Sequence, residues 1–233
     1  MSQPVSHTLP RPALLTSGLV LAALVAGWAA LVLAAPVDRI QGVVQKILYV
    51  HVPCAFSAYL GFGLTAIAGA IYLARNDERF DRLAAASAEV GVLFCTLNIL
   101  TGPIWAKATW GHWWAWDPRL TVTLLLWFVY LSYLLLRSFT EGSDRTARFA
   151  AVYGILGTAA IPLNYFAIDL FGGAAMHPEN LERGSLGAGM VWPFVFAVAA
   201  GIAAFVHLLL LRVDLAARRT AAELAARERD FTR

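Results

Sequence analysis

The sequence predicts an all-α, polytopic membrane protein with six transmembrane helices and both termini in the cytoplasm. Of its 233 residues, 59% are hydrophobic and only 14% are charged. The mean hydropathy of +0.64 is too high for a soluble domain of this length. Apolar runs of about twenty residues, enough to cross a bilayer as a helix, alternate with short charged loops. Lysine and arginine are concentrated in alternate loops, which predicts the orientation.

The first three spans follow from the apolar runs and the residues that interrupt them. Span one is predicted at residues 14–35; it is longer than the apolar region of a signal peptide, so we expect it to be retained. The mildly apolar loop 37–50 is compatible with a short amphipathic helix at the interface. Pro53 suits the first turn of a helix, which predicts span two at 53–74 and leaves His51 just before it, at a membrane face. After a charged turn, span three is predicted at 83–105.

The last three spans are predicted in the same way. Asp117 and Pro118 are typical of the N-cap and first residue of a helix, here span four at 120–136. Span five, 149–171, contains Pro162 and Asn164, which we expect to disturb it locally. Span six is predicted at 190–211, and a charged tail, 212–233, follows. No soluble domain remains, so residues 1–233 are expected to form a single six-helix membrane domain.

The distribution of Lys and Arg predicts which side each loop faces. Thirteen of these residues lie in the termini and even-numbered loops, and five lie in the odd-numbered loops. Positively charged loops remain in the cytoplasm, so both termini are predicted to be cytoplasmic. The odd-numbered loops, 36–53, 103–120 and 172–189, are then together on the outer side. The net charge of +3 is explained by topology, and we expect no nucleic-acid site.

The segment 110–119, called here the tryptophan segment, contains four of the eight tryptophans within seven residues. If the segment were helical, Trp110, Trp113, Trp114 and Asp117 would share one face. The alternative is an aromatic belt at the membrane interface, which explains Trp28 or Trp192 well. A belt needs one anchor per helix end, however, and not four in one loop. The density therefore favours a flat aromatic shelf, including Trp116, that binds a ligand.

Two histidines and several cations share the predicted outer side with this shelf. Imidazole is a common axial ligand of heme iron, and a porphyrin also needs apolar surfaces and cations for its propionates. His51 and His177, from separate loops, are candidate axial ligands, and Lys107, Arg119 or Arg39 could bind propionates. Taken singly, each histidine is more often an interfacial polar residue, but their common side favours a shared site. His112 is a third candidate, whereas His7 and His207 are predicted on the other side.

Other chemistry has little support in the sequence. Cys54 and Cys95 lie inside apolar runs and form neither a dithiol motif nor a c-type heme attachment motif. No spacing of His, Cys and carboxylates suits zinc. Glu89 and Asp169 are near span ends, and Glu89 is interpreted as structural. Nucleotide-binding and hydrolase motifs are lacking, so we do not expect an enzyme.

The tryptophan segment, Trp110-Gly-His-Trp-Trp-Ala-Trp-Asp117, continued by Arg119-Leu-Thr121, resembles the WWD signature of heme-handling proteins of cytochrome c maturation. With six spans and this length, the chain resembles the heme exporter protein C family (CcmC) over essentially its whole length. Tyr49-Val50-His51-Val52-Pro53 resembles the segment with the first external histidine of that family, and residues 102–107 match its approach to the tryptophan motif. Residues 170–176 lack the tryptophans that usually precede the second histidine.

The resemblance implies a protein of the bacterial cytoplasmic (inner) membrane that transiently binds heme b on the periplasmic face. It implies His51 and His177 as the axial ligands. The implied partners are the periplasmic heme chaperone CcmE, the ATP-driven complex of CcmA and CcmB, the small subunit CcmD and membrane lipid. Two alternatives stay open: a cytochrome b-type membrane subunit of an oxidoreductase, and a permease that transports heme across the bilayer.

Overall fold

A computed structural model describes residues 9–139, 143–171, 177 and 186–231, apart from the side chains at positions 224, 227, 228, 230 and 231. The described chain is helical, and its one β-type pairing is an isolated bridge between Asp38 and Gly42. The helices are α1 (Arg11–Ala34), a 3-10 helix (Val43–Ile47), α2 (Leu48–Arg75), α3 (Glu78–Trp110), α4 (Pro118–Phe139), α5 (Asp144–Thr158), α6 (Ala160–Tyr165), α7 (Ala167–Phe171) and α8 (Val191–Phe231).

Six segments are long and apolar enough to cross a membrane, which confirms the predicted number of spans. They are Arg11–Ala34, Val43–Arg75, Glu78–Trp110, Pro118–Phe139, Asp144–Tyr165 and Val191–Glu223. The protein is therefore a multi-pass, all-α membrane protein. Helix α8 is longer than the predicted sixth span. It continues without a break through the charged residues 212–231, which were predicted only as a tail.

Helix α2 occupies the centre of the bundle and packs against α3, α5 and α8. It approaches α3 closely at Gly61, where an added Cβ would lie 2.7 Å from the Cα of Gly91. Small residues allow such close backbone contact between membrane helices. Beside this crossing, the rings of Phe62 and Tyr130 stack with centroids 3.8 Å apart. Tyr130 belongs to α4, so the stacking fixes a third helix against the first two.

Helix α2 begins earlier than predicted. It starts at Leu48, directly after the 3-10 helix, so Pro53 lies inside the helix and His51 in its first turn. Pro53 has no N–H to donate to the carbonyl of Tyr49, four residues earlier. The indole Nε1 of Trp28, from α1, donates to this carbonyl at 3.2 Å. The neighbouring helix thus supplies the donor that proline lacks, and the helix extends past the residue that was predicted to begin it.

The fifth span is interrupted, as Pro162 and Asn164 predicted. Helix α5 ends at Thr158. Pro162 has no N–H to donate to the carbonyl of Thr158, four residues earlier. Two short helices, α6 and α7, continue the span. The interruption places Asn164 in the protein interior, where it is 1% exposed. A polar side chain is thereby presented to α2 and α4.

The tryptophan segment is not helical, contrary to the conditional prediction of a common face. Helix α3 ends at Trp110, and Gly111 has a φ of +85°, a left-handed conformation that glycine adopts without strain. Residues 111–117 form no regular structure. Asp117 is the N-cap of α4, as predicted, because its Oδ1 accepts a bond of 2.8 Å from the N–H of Leu120. The four tryptophans are therefore placed by a turn and a cap.

Ion pairs stabilise the part of the bundle around the early turns of α3. Arg137 donates to both carboxylate oxygens of Asp81, at 2.6 and 2.7 Å. Arg212 of α8 donates to both oxygens of Glu89, which supports the structural interpretation of that residue. In the preceding turn, the Arg79 side chain and backbone N–H lower the pKa of Asp77 to about 2. This N-cap of α3 consequently remains charged at physiological pH.

Candidate functional site

A cavity of about 210 Å³ lies between α2, α3, α4 and α6. Most of its wall is apolar and aromatic, and includes Leu48, Val52, Phe56, Ile99, Pro103 and Leu120. The polar groups that reach it are few, and include His51, Asn98, Arg119 and His177. A mostly apolar pocket with a small number of convergent polar groups is typical of a binding site for an organic ligand or cofactor.

His51 is held on several sides by α3. Its Nδ1 lies 3.0 Å from Oγ1 of Thr101, and its Nε2 lies 3.3 Å from Nδ2 of Asn98. The same Nδ2 donates to the backbone carbonyl of His51 at 3.0 Å. Trp105 contacts the imidazole edge to face, with ring centroids 5.8 Å apart. His51 is 9% exposed, so its side chain is buried within the helix bundle.

Trp105 is itself positioned by the loop before α2. Its indole N–H donates to Oε1 of Gln41 at 2.7 Å. Gln41 belongs to a turn in which Oδ1 of Asp38 accepts bonds from two backbone N–H groups, at 2.7 and 2.8 Å. These bonds to Gln41 and Ile40 lower the pKa of Asp38, so the turn keeps its charged acceptor. The turn, Trp105 and His51 therefore form one connected structure.

Asp117 and Arg119 hold His177 from the first turn of α4. The backbone N–H of His177 donates to Oδ2 of Asp117 at 3.3 Å. A guanidinium nitrogen of Arg119 lies 3.3 Å from Nδ1 of His177, and the other donates to the carbonyl of Tyr165 at 2.7 Å. Because guanidinium can only donate, Nδ1 of His177 faces Arg119 with its lone pair. Asp117 and Arg119 are each 8% exposed.

The two histidines that the sequence singled out are close together. Their ring centroids are 6.3 Å apart and their planes are inclined by 40°. An imidazole nitrogen lies about 2.0–2.1 Å from a first-row metal such as zinc, and the ring centre about 1.15 Å further, so two imidazoles on opposite sides of one metal have centres roughly 6.4 Å apart. The observed separation of the ring centres is close to this value.

The four tryptophans divide into two pairs. Trp110 and Trp114 line the cavity, whereas Trp113 and Trp116 are 59% and 76% exposed and do not. The Nε1 of Trp114 is buried and has no hydrogen-bond partner within the described ranges. Trp116 contacts Trp114 edge to face, with centroids 5.7 Å apart. One pair thus belongs to the cavity and the other forms an exposed aromatic surface beside it, instead of the single shelf predicted.

The remaining predicted candidates are separate from the cavity wall or outside the described chain. Lys107 donates to the carbonyl of Gly111 at 2.7 Å and so caps the end of α3. Arg39 and His112 are exposed and do not line the cavity. His207 is bound to the hydroxyl of Ser17 at 2.9 Å, within the α1–α8 pair. His7 lies outside the described residues.

Four polar residues of the site were not singled out from the sequence as parts of it. Asn98 and Thr101 contact His51, and Tyr59 donates to Oδ1 of Asn164 at the cavity wall. Nδ2 of Asn164 donates to the backbone carbonyl of Arg119 and to Oγ1 of Thr123, at 3.1 and 2.8 Å. Polar side chains inside apolar runs were the available signal, because membrane spans keep such groups only where the interior can satisfy them.

No group of three or more His, Cys or carboxylate side chains suited to a metal ion occurs in the described part of the chain. Cys54 and Cys95 are both buried free thiols, as the sequence predicted for small apolar residues. The two histidines therefore provide an incomplete set for zinc, which usually needs three or four protein ligands. They suffice for the two axial positions of a porphyrin iron, whose other four ligands belong to the macrocycle.

Fold and site together define a class: a multi-pass helical membrane protein with a paired-histidine cavity beside an exposed tryptophan surface. Comparison with known proteins gives the family. A sequence model of the heme exporter protein C family matches residues 5–227, and the chain belongs to that family. This confirms the family resemblance drawn from the tryptophan segment.

Individual relatives agree with this assignment over most of their length. The chain is 32% identical over 228 residues to the heme exporter protein C of Paracoccus denitrificans, covering 92% of this chain and 94% of the relative. It is 33% identical over 182 residues to that of Haemophilus influenzae, covering 76% and 73%. Identity to that of Rhodobacter capsulatus is 34% over 200 residues, covering 83% and 82%.

Proposed function

We propose that the protein binds heme in the paired-histidine cavity and delivers it to a periplasmic heme chaperone during cytochrome c maturation. The observation that carries the proposal is the separation of 6.3 Å between the His51 and His177 rings. Family membership supports the choice of heme as the cargo. The proposed activity is binding and transfer of heme, which is not the role of an enzyme.

Each part of the site has a role in this proposal. The imidazoles of His51 and His177 bind the iron of heme b on its two faces. The apolar wall, with Trp110 and Trp114, accepts the macrocycle, and Arg119 offers a cation to a propionate. Asp117 holds His177 and caps α4, so it acts on the site through its neighbours. The exposed Trp113 and Trp116 face outward and suit contact with the chaperone, CcmE.

The cellular setting follows from the same proposal. The odd-numbered loops face the periplasm of a bacterial inner membrane, and the heavily basic loops and both termini face the cytoplasm. The ABC-type complex of CcmA and CcmB and the small subunit CcmD are the proposed further partners. The proposed role of this chain requires neither ATP nor nucleic acid. The energy for release of the loaded chaperone is assigned to the ATP-driven complex.

Replacement of the two histidines tests the axial-ligand proposal. We expect His51→Ala and His177→Ala each to lower the heme content of the purified protein. Heme that remains bound to either variant should no longer give the six-coordinate bis-imidazole spectrum. The double variant should lose bound heme and fail to produce holo-chaperone in membranes. His112→Ala is the matched control, since His112 is exposed and outside the cavity. Full heme occupancy in the double variant would refute the proposal.

The cytochrome b alternative needs a separate experiment, because the position of His51 is compatible with it. Such subunits commonly bind heme with histidines inside spans, and His51 lies within α2. A redox titration coupled to quinol distinguishes electron transfer from delivery: we expect no quinol-dependent reduction of the bound heme. For the permease alternative, we expect no heme uptake into vesicles that contain this protein without a chaperone.

A further inference from the structure

A neutral histidine binds iron only through the ring nitrogen that has a lone pair, so its tautomer decides which nitrogen is available. We propose that Asn98 and Thr101 are positioning residues that hold His51 in the tautomer with the proton on Nδ1, leaving Nε2 to bind heme iron. The inference rests on the proposed function only in taking His51 as an axial ligand. The tautomer itself follows from the contacts of the ring.

The first step concerns the orientation of the Asn98 amide. One atom of this amide lies 3.0 Å from the backbone carbonyl oxygen of His51. A carbonyl oxygen only accepts hydrogen bonds, so the amide atom that faces it must be the NH₂ group. The same nitrogen lies 3.3 Å from Nε2 of His51. Because this nitrogen is a donor, Nε2 faces it with a lone pair.

The second step concerns the hydroxyl group of Thr101, which has a single proton. Its Oγ1 lies 2.8 Å from the carbonyl of Leu97 in the same helix. The same oxygen lies 3.0 Å from Nδ1 of His51. Because the Asn98 contact leaves Nε2 with a lone pair, the proton of the neutral ring is on Nδ1. Oγ1 of Thr101 can accept from it while the hydroxyl proton goes to the carbonyl of Leu97 or of Asn98, which lies 3.1 Å away.

The two contacts involve different ring nitrogens and fit the same tautomer. With the proton on Nε2, an N–H group would face the NH₂ group of Asn98, and Oγ1 of Thr101 could bond the Nδ1 lone pair only by withdrawing its proton from the carbonyls of its own helix. Rotation of the ring to avoid this is opposed by packing. Gly102 leaves no excess space, because an added Cβ there would lie 3.2 Å from Cε1 of His51. Trp105 contacts the imidazole from α3 as well.

The arrangement has two consequences for heme. The bond from Nδ1 to Oγ1 of Thr101 makes Nε2 a stronger donor to iron, as outer hydrogen bonds of metal-bound histidines do. Iron at Nε2 would also take the lone pair that Asn98 contacts. The Asn98 amide would keep its bond to the His51 carbonyl, so the helix backbone would remain held while the ring nitrogen is released to the metal.

Nuclear magnetic resonance tests the tautomer directly and without heme. In full-length protein labelled with ¹⁵N-histidine, the His51 signals are assigned by their loss in the His51→Ala variant. We expect the shifts of a protonated Nδ1 and an unprotonated Nε2. A proton found on Nε2 would overturn the inference, whatever the function of His51.

Two variants of Thr101 test the consequence for heme. Thr101→Val keeps the shape of the side chain and removes the acceptor, and should weaken heme affinity by about 10- to 100-fold. It should also raise the midpoint potential of the heme that still binds, because a less basic axial ligand stabilises ferric iron less. Thr101→Ser retains the hydroxyl group and should restore both values.

These outcomes separate failure of the inference from failure of the proposed function. If His51→Ala loses heme but Thr101→Val has the affinity and potential of the unmodified protein, the positioning role is wrong and the ligand role stands. If His51→Ala keeps its heme, the ligand role is wrong. A packing defect alone would reduce the yield of folded protein without moving the potential of bound heme, and Thr101→Ser would then not differ in potential from Thr101→Val.

Discussion

Arg119 is the residue through which the first turn of α4, the fifth span and His177 are joined. Its guanidinium donates to the carbonyl of Tyr165 and contacts His177, and its own carbonyl accepts from Asn164. It is the second residue of α4, where the positive end of the helix adds to its charge. A buried cation so placed can attract an anionic group of a ligand while it contacts His177, the proposed axial ligand.

Substitution of Arg119 should therefore weaken heme binding even when the positive charge is retained. Arg119→Lys supplies a point charge that cannot reproduce both guanidinium contacts, and Arg119→Gln also removes the charge. Hydrogen bonds to charged groups contribute about 1.5–3 kcal/mol each, or roughly 10- to 150-fold in affinity. Heme titration of the purified variants measures the loss, which we expect to be larger for Gln. Lys107→Gln, altered only at an exposed cap, should bind normally; equal affinities for all three variants would contradict this role.

The two tryptophan pairs predict different effects on heme binding and heme transfer for the adjacent residues Trp113 and Trp114. Trp114→Phe removes a buried indole N–H at the cavity. It should lower heme affinity, because the ligand can then no longer accept a hydrogen bond from this group. Trp113→Phe and Trp113→Ala alter an exposed ring and should leave heme content unchanged while reducing transfer to the chaperone. Heme content and holo-chaperone yield are measured in parallel. Equal loss of heme in Trp113→Ala would mean that the two pairs form one surface after all.

At the scale of the element, the entry to α2 shows how a helix can include a proline near its beginning. Residue 53 is a proline, so the carbonyl of Tyr49 lacks the backbone N–H that would donate to it in a regular helix. The indole N–H of Trp28 donates to this carbonyl instead. Trp28 was interpreted from the sequence as an interfacial anchor, yet its N–H is directed into the protein. Because Tyr49 is two residues before His51, this bond between α1 and α2 also fixes the turn that positions the proposed ligand.

A double-mutant cycle measures that bond. Trp28→Phe leaves the Tyr49 carbonyl without its donor and should cost about 1–3 kcal/mol, the usual penalty for a buried unpaired polar group. Pro53→Ala restores a backbone N–H that can donate to the same carbonyl, so the loss caused by Trp28→Phe should be smaller in that background. Thermal unfolding in detergent gives the stabilities. Strictly additive effects of the two substitutions would show that the Trp28 indole and an N–H group at position 53 do not serve the same carbonyl.

The elements also show what the sequence could and could not predict. The six spans, the N-cap at Asp117 and the break near Pro162 follow from local rules, since apolar length, capping and a missing N–H act within a few residues. The start of α2 and the burial of His51 do not. The first involves a donor 21 residues away in α1, and the second comes from the packing of α3 against α2. Asn98 and Thr101 were overlooked for the same reason: only the packing of α3 against α2 gives them a partner.

Across the whole molecule, the site and the ion pairs lie far apart along the same helices. Asp81 and Thr101 are both in α3, and twenty residues of helix extend about 30 Å, which is the thickness of a bilayer core. Arg137 and Arg119 are similarly separated along α4. The ion-paired part of the bundle therefore lies towards one membrane face and the cavity towards the other. The excess of Lys and Arg in the loops at the ion-paired face predicts that this face is cytoplasmic.

Cysteine labelling tests this orientation. In a background with Cys54→Ala and Cys95→Ala, we introduce His112→Cys beside the cavity or Glu78→Cys beside the ion pairs; Glu78 has a side chain that is 81% exposed. A membrane-impermeant maleimide added to spheroplasts should modify the cysteine at position 112. It should reach position 78 only after lysis, because that residue is predicted to face the cytoplasm. Labelling with the reverse pattern would turn the heme cavity towards the cytoplasm, and delivery to a periplasmic chaperone could not then occur from this site.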